Sequence, residues 1–237
     1  YAVYDRFKET GRFDAFKCDK NAPVKPHIFW DSDVAKWIEG VAYLTSEKKE
    51  SALEAIADEV IDNIEKNMSE DGYFNSFFTA LEPENIFRWR DCHEMYCLGH
   101  LIEAGVAYFE ATGKDKLLKL TQRYVDYVIK VFVEEKSAQF STPGHEEIEL
   151  ALVRLYECTG DEKYLKLSTY FVDTKGKEPE SLNDWSKLKY SQSHIPVREQ
   201  ETAEGHAVRA VYLYCAMADL ARKNNDNALK NACEKIF

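Results

Sequence analysis

Three histidines that precede helical segments are the side chains in this sequence best suited to bind a ligand. They are His93 in "RDCHEMY", His145 in "PGHEEIE" and His206 in "AEGHAVRA", and the whole chain contains only six histidines. A positive imidazole opposes the dipole at a helix start, so we expect these rings to be mainly neutral at neutral pH. A neutral imidazole donates and accepts hydrogen bonds, which suits sugar hydroxyls or a metal ion. The pattern predicts a shared pocket, with three separate structural roles as the alternative.

Other polar and aromatic side chains are predicted to join the same end of the molecule. Trp30 and Asp31 lie in "HIFWDSDVAKW", at the start of a helical pattern, and His194 lies in the loop "YSQSHIPVREQ". An aromatic face packs on the C–H groups of a sugar, and a carboxylate accepts hydrogen bonds from its hydroxyls. Packing of Trp30 and helix capping by Asp31 are the alternatives. We count all three with the histidines as candidate substrate-binding residues.

Motifs for nucleophilic, phosphate or zinc-protease chemistry are missing from the sequence. The cysteines form neither a CxxC nor an adjacent pair; they are Cys18, Cys92, Cys97, Cys158, Cys215 and Cys233. Cys97, Cys158 and Cys215 lie among apolar helical residues, where a thiol behaves as a small hydrophobic group. His93 and Cys97 have the spacing of a metal-binding pair on a helix, but core packing of Cys97 is favoured, and His100 is predicted to be buried.

Composition and charge exclude several classes of protein. The chain has 45% apolar and 31% charged residues, which is typical of a globular protein. Its net charge of −11 argues against a nucleic-acid-binding surface, which needs a basic face. No run of about 18 apolar residues predicts a membrane span, and the first residues do not form a secretory signal. The unpaired spacing of the cysteines favours a reducing compartment, so we expect a cytoplasmic protein.

Apolar residues recur at helical spacing through almost the whole sequence, which predicts an all-α fold. Strand patterns are weak, and the candidate short β pieces are residues 73–81 and 87–89. The predicted helices cover residues 31–44, 47–68, 91–112, 115–133, 146–158, 161–173, 204–222 and 227–237.

An internal repeat groups these helices into hairpins. Residues 105–128 and 151–173 each end one helix at Thr-Gly and begin another with leucines. Gly113 and Gly160 fit the left-handed position that ends a helix, and Asp115 and Asp161 are predicted to cap the next one. Two fainter copies, residues 40–64 and 212–237, bring the total to about four hairpins.

The connections between hairpins predict where function lies. Turns within a hairpin are short, whereas residues 69–90, 134–144 and 174–203 form long connections between hairpins. This pattern is typical of a toroid, in which the first helix of each hairpin lines the inside. Because loops on a rigid scaffold carry most functional sites, we expect function at the long-loop end.

Four long segments together resemble the beta-L-arabinofuranosidase family, glycoside hydrolase family 127 (GH127). They occur in the order of the family, over nearly the whole chain, and read "FWDSDVAKWIEG", "RWRDCHEMYCLGHLIEAGVAYFEATGKDKLL", "PGHEEIELALVRLYECTGDEKYL" and "SQSHIPVREQETAEGHAVRAVYLYCAMADLA". The resemblance implies an (α/α)6 barrel and retaining hydrolysis of non-reducing β-L-arabinofuranosyl groups in an arabinose-containing oligosaccharide or glycan. It also implies that His93, His145 and His206 hold the sugar.

The sequence departs from the family in its catalytic motifs. The family uses a zinc-bound cysteine thiolate as nucleophile and a glutamate as acid/base, with a Glu-x-Cys and a Cys-Cys pair that this chain lacks. We therefore expect zinc in the complete enzyme, but no catalytic residue or metal ligand in this chain, which alone should be inactive. Residues 1–237 are expected to form one partial domain, an incomplete (α/α)6 barrel truncated at both ends. Its expected partner is the remainder of the polypeptide or a second copy.

Two other functions remain open from the residues themselves. The chain could be a non-catalytic helical-repeat module that binds sugar or protein, because an open arc of hairpins leaves apolar flanks for a partner. It could also belong to another (α/α) barrel carbohydrate enzyme, such as an epimerase or an unsaturated glucuronyl hydrolase, because fold alone does not decide function.

Overall fold

The computed structural model describes residues 1–177 and 185–237, and within them all regular structure is helical. The all-α class predicted from the sequence is confirmed. The described α-helices are α1 (Ala2–Glu9), α2 (Arg12–Ala15), α3 (Trp30–Glu47), α4 (Ser51–Asn67), α5 (Ser76–Leu81), α6 (Glu94–Thr112), α7 (Lys116–Val128), α8 (Ile148–Thr159), α9 (Glu162–Thr174), α10 (Trp185–Tyr190), α11 (Ala207–Lys223) and α12 (Asn227–Ile236).

The chain divides into two compact units, which we call the first unit (residues 1–138) and the second unit (residues 139–237). The first unit contains α1 to α7, and the second contains α8 to α12. The prediction that residues 1–237 form one partial domain stays a prediction.

The first unit is built from two helical hairpins. Helices α3 and α4 form one and α6 and α7 the other, with α3 packed along α6 and α4 against α7. Their apolar faces meet in a core that includes Ile38, Ile64, Phe74 and Tyr108, each at most 2% exposed. This burial is the expected result of apolar residues spaced three and four apart.

The second unit repeats the same plan. Helices α8 and α9 form one hairpin and α11 and α12 the other, and α11 packs against α8. The core includes Val172, Leu213, Met217 and Leu229, all buried. The predicted grouping of these helices into hairpins is therefore confirmed within each unit.

Both predicted glycines end their helices, but only one of the two predicted aspartate caps forms. Gly113 and Gly160 have φ of 74° and 73°, the left-handed conformation that ends α6 and α8. Asp161 accepts a hydrogen bond from the Lys163 amide and caps α9. The predicted cap at Asp115 is wrong, because its carboxylate pairs instead with Lys119 at 2.6 Å.

Both candidate β pieces are wrong. Residues 76–81 form α5, because the Asn75 side chain accepts hydrogen bonds from the amides of Phe77 and Phe78 at 3.1 Å. Phe87 has a φ of 51°, a left-handed conformation that a strand cannot contain. The third predicted long connection, residues 174–203, contains α10, and its residues 178–184 lie outside the described part of the chain.

The predicted interior positions of His100 and of three cysteines are confirmed only in part. His100 and Cys97 are buried, as expected, and Cys158 is half-buried. Cys215 is exposed, so its predicted interior position is wrong. It lies on the same side of α11 as the exposed Val208 and Val211, where helical spacing alone wrongly indicated a core.

Within the described ranges, no helix combines the length and the apolar character that crossing a bilayer requires.

Candidate functional site

Two of the three predicted histidines meet in the second unit. The ring centroids of His145 and His206 are 6.0 Å apart and the rings are inclined at 61°. His206 directly precedes α11, whereas His145 lies three residues before α8, which begins later than predicted. Tyr212 lies 6.2 Å from the His145 ring and Tyr190 lies 5.3 Å from the His206 ring, so aromatic groups border the pair.

The backbone contacts of the two rings assign opposite tautomers to their neutral forms. Nδ1 of His145 is 3.0 Å from the Glu146 carbonyl oxygen, which only accepts, so this nitrogen carries the proton. Nδ1 of His206 accepts a hydrogen bond from the Arg209 amide at 3.4 Å, so its proton is on Nε2. The His145 Nε2 is therefore an acceptor and the His206 Nε2 is a donor, which together match the two capacities of sugar hydroxyls.

A buried ion pair lies directly beside His145. Lys175 Nζ is 2.6 Å from Glu146 Oε1, and both side chains are 0% exposed. Burial raises the pKa of Glu146 to about 7; Lys175 opposes this rise and Glu149 adds to it. Lys175 also donates hydrogen bonds to the carbonyl oxygens of Pro143 and Ser191, both at 3.2 Å.

The start of α11 is held by Arg209 and Gln192. The Arg209 guanidinium lies 4.7 Å from the centre of the Tyr190 ring and donates to the Gly144 carbonyl oxygen. Gln192 Nε2 donates to the carbonyl oxygen of Glu204 at 2.8 Å. Gly205 has a φ of 76°, and a Cβ there would lie 2.1 Å from the Lys189 carbonyl oxygen, so the approach to His206 requires glycine.

His194 is half-buried in the loop between α10 and α11. Burial lowers its pKa, while the nearby Glu204 carboxylate acts in the opposite direction. A lowered pKa keeps the imidazole neutral at neutral pH, as expected for a hydrogen-bonding ligand of a sugar. Its role in binding stays a prediction.

The first unit contains His93 and Trp30. His93 directly precedes α6 and has a left-handed φ of 61°. Its ring lies 5.8 Å from the Phe29 ring and 5.7 Å from the Tyr96 ring. Trp30 begins α3, and the Arg12 guanidinium lies 4.7 Å from the centre of its indole. Two aromatic rings thus border His93, as two border the histidine pair of the second unit.

Two buried carboxylates lie close to these residues. Both oxygens of Asp31 accept hydrogen bonds from Ser76, one from its amide at 2.8 Å and one from its hydroxyl. Burial raises the pKa of Asp31 to about 6. Asp31 thus fixes the start of α3 from inside the protein, and its direct contact with a sugar stays a prediction. Glu94, directly after His93, accepts from the Tyr73 hydroxyl at 2.6 Å and the Phe87 amide at 3.1 Å.

The described residues do not fit a zinc ion. In residues 1–177 and 185–237, no three His, Cys, Asp or Glu side chains form a group that could hold a metal. Cys97, the partner of His93 in the predicted pair, donates to the Ile28 carbonyl oxygen at 3.5 Å. Burial raises its pKa well above the usual value, so the thiol stays protonated and is a poor ligand.

Sequence reasoning missed the residues that support the histidine pair. Lys175 is one of two lysines in "VDTKGKEP", and nothing in that pattern indicates burial. Gln192 lies among other polar residues of a loop. Arg209 offered the only signal, since an arginine in the first turn of a helix opposes the dipole and therefore needs another partner.

Comparison with known proteins assigns the chain to a family. Residues 2–237 match the sequence model described as "Beta-L-arabinofuranosidase, GH127 catalytic domain". The non-reducing end beta-L-arabinofuranosidase of Bifidobacterium longum subsp. longum is 35% identical, over 89% of this chain and 35% of that protein.

Solved structures agree with this assignment. A GH127 beta-L-arabinofuranosidase from Geobacillus stearothermophilus T6 is 45% identical with a TM-score of 0.88, covering 96% of this chain and 38% of that one. Another GH127 beta-arabinofuranosidase is 36% identical with a TM-score of 0.85, covering 99% and 38%. The chain thus spans little more than a third of the length of these relatives. On its sequence and its fold, the chain belongs to glycoside hydrolase family 127.

Proposed function

We propose that this chain supplies sugar-binding residues of a retaining β-L-arabinofuranosidase that acts on non-reducing terminal L-arabinofuranosyl groups. The observation that carries the proposal is the approach of His145 and His206, 6.0 Å apart and with opposite tautomers. The names of the relatives support the choice of sugar. The substrate is an arabinose-containing oligosaccharide or glycan.

In the second unit, the acceptor on His145 and the donor on His206 bind hydroxyls of one sugar, and the rings of Tyr190 and Tyr212 border its C–H faces. His194 contributes a further neutral imidazole. In the first unit, His93 and Trp30 contribute binding groups, and Asp31 holds the start of α3.

The chemical step requires groups beyond these. This chain contains neither a Glu-x-Cys nor a Cys-Cys pair, so we assign no catalytic residue and no zinc ligand within it. The complete enzyme is proposed to use zinc and a cysteine thiolate. The remainder of the polypeptide or a second copy is the proposed partner. All six cysteines are thiols, with no disulfide among the described residues, which suits the cytoplasm.

Sugar binding can be tested on this chain with ¹³C,¹⁵N-histidine labelling. Titration with L-arabinose is expected to shift the ring signals of His145 and His206 in a saturable way. His145→Ala and His206→Ala should each weaken binding by about tenfold or more, because a buried hydrogen bond to the sugar is lost. His27→Ala, at an exposed histidine, is the control. Unchanged affinity in both site variants would refute the proposal.

The division between binding and chemistry has a separate test. The 237-residue chain is mixed with p-nitrophenyl β-L-arabinofuranoside, with and without added zinc. We expect binding without turnover. Robust zinc-dependent hydrolysis would show that a nucleophile lies within these residues after all.

A further inference from the structure

We propose that Lys175 is a positioning residue that sets the distance and orientation of the His145–His206 pair. The inference rests on the proposed sugar-binding role of that pair. It concerns a buried side chain that itself contacts neither imidazole in the proposed arrangement, and that acts through the two segments that carry them.

The Lys175 ammonium group contacts three oxygen atoms of the surrounding protein. It follows α9 directly, and its side chain is 0% exposed. An ammonium group has three N–H donors. Three acceptors surround it, namely Glu146 Oε1 at 2.6 Å and the carbonyl oxygens of Pro143 and Ser191 at 3.2 Å. The ammonium group therefore forms one ion pair and two hydrogen bonds, all within the protein.

Two of these acceptors flank His145. Pro143 lies two residues before His145, and Glu146 follows it directly. Because Lys175 holds the backbone on one side and a side chain on the other, the short segment between them has little freedom to turn. The direction of the imidazole follows from this restraint.

The third acceptor, the Ser191 carbonyl oxygen, lies in a segment that is hydrogen-bonded to His206. Ser191 adjoins Gln192, whose Nε2 donates to the carbonyl oxygens of Glu204 at 2.8 Å and His206 at 3.4 Å. The His206 amide in turn donates to the Tyr190 carbonyl oxygen at 3.1 Å. The segment that Lys175 holds at Ser191 is thus bonded on to the start of α11, so one ammonium group connects both histidine segments.

Removal of both charges separates a positioning role of Lys175 from a purely structural role of its ion pair. Desolvation of a buried ion pair offsets most of its Coulomb attraction, so an apolar replacement of similar size often retains stability. Removal of both charges should then restore the fold. It should not restore the positions of the histidines, because a neutral side chain no longer holds Pro143 and Ser191.

The experiment compares three variants of the 237-residue chain: Lys175→Met, Glu146→Gln and the apolar double variant Lys175→Met/Glu146→Met. We expect each single variant to be less stable, and the double variant to melt within about 2–4 °C of the parent chain. Despite that recovery, the double variant should bind L-arabinose about tenfold more weakly. Its sugar-free ¹³C,¹⁵N ring signals of His145 and His206 should also move, while those of His27 stay in place.

Two outcomes would overturn the inference. A double variant with parental arabinose affinity and unmoved ring signals would assign Lys175 a structural role alone. Signals of His145 and His206 that move no more than that of His27 would do the same, even if a single variant fails to fold. If the parent chain itself does not bind arabinose, the proposed function fails, but the sugar-free spectra still decide the role of Lys175.

Discussion

In each unit, a candidate sugar-binding histidine is followed directly by a buried glutamate, but the two glutamates have different partners. Glu94, after His93, accepts hydrogen bonds from the Tyr73 hydroxyl and the Phe87 amide. Glu146, after His145, faces the ammonium group of Lys175. Burial raises the pKa of both glutamates to about 7. The first unit thus holds its carboxylate with neutral donors, and the second holds it with a buried cation.

The difference matters when one partner changes. Neutral donors remain compatible with a neutral acceptor of the same shape, whereas a buried cation requires its counterion. The second unit should therefore be the more sensitive of the two to neutralisation of its glutamate, although the two glutamates have similar pKa values.

The largest expected effect is from Glu146→Gln. This change leaves the Lys175 ammonium buried without its counterion, and we expect it to lower the free energy of unfolding by about 3–5 kcal/mol. Urea unfolding at pH 8 measures the change. The matched variant Glu94→Gln should lose no stability under the same conditions, because its donors keep an acceptor and the cost of burying the ionised carboxylate at pH 8 is removed. Equal losses in the two variants would remove the distinction between the units.

The next effect is a pH dependence that Glu94→Gln should abolish. The pKa of Glu94 is raised from 4.5 to about 7, so the folded protein binds this proton more tightly than the unfolded chain does. Its contribution to stability is complete below about pH 4.5 and is lost as pH rises through about 7, a change on the order of 3 kcal/mol. The difference between parent and variant, measured by urea unfolding from pH 4.5 to pH 8, isolates this contribution.

A surface carboxylate whose pKa is shifted in the opposite direction provides a control. Lys235 lowers the pKa of Glu201, so this carboxylate contributes stability that is lost as pH falls. Glu201→Gln should therefore change the slope of stability against pH in the other direction. A profile for Glu94→Gln that is parallel to that of the parent chain would show that Glu94 titrates normally.

A smaller effect should separate two substitutions of His93. This residue has a left-handed φ of 61°, whereas in the second unit Gly205 takes the left-handed position and His206 has a φ of −75°. His93→Ala and His93→Gly both remove the ring, but only glycine adopts this conformation without steric cost. We expect the glycine variant to be more stable by about 1 kcal/mol in urea unfolding. Equal stability would indicate that the backbone relaxes at this position.

The smallest effect concerns the hairpin turns of the two units. Asp161 caps α9, and Asp161→Ala should cost about 1 kcal/mol. Asp115 does not cap α7 and only pairs with Lys119, so Asp115→Ala should cost at most a few tenths of a kcal/mol. Thermal unfolding of the two variants side by side measures the difference, and a reversed order would contradict the assigned cap.

The features predicted correctly from the sequence are mostly local. Apolar spacing located the long helices, and the left-handed glycines at Gly113 and Gly160 located two turns, because both depend on neighbouring residues. The errors have local causes that a pattern of residue types does not resolve, such as the Asn75 side chain that starts α5 where a strand was predicted. The exposure of Cys215 depends instead on what packs against α11.

The site was predictable only in part for the same reason. The repeat indicated that histidines share a position, and His145 and His206 do lie close together, but the shared position says nothing of their tautomers. These follow from contacts with a carbonyl and an amide that depend on local backbone geometry. Lys175 was not predictable, because its three acceptors come from segments 16 to 32 residues away.

The opposite tautomers of His145 and His206 give the pair a chemical polarity. A free hydroxyl can donate to one ring and accept from the other, but an O-methyl ether can only accept. A sugar methylated at the hydroxyl that faces His206 would keep its hydrogen bond, and the same methyl group at the hydroxyl facing His145 would remove it. In the proposed binding mode, the pair would distinguish the two hydroxyl positions by the direction of the hydrogen bond, so a set of mono-O-methyl arabinosides would identify which hydroxyl meets which histidine.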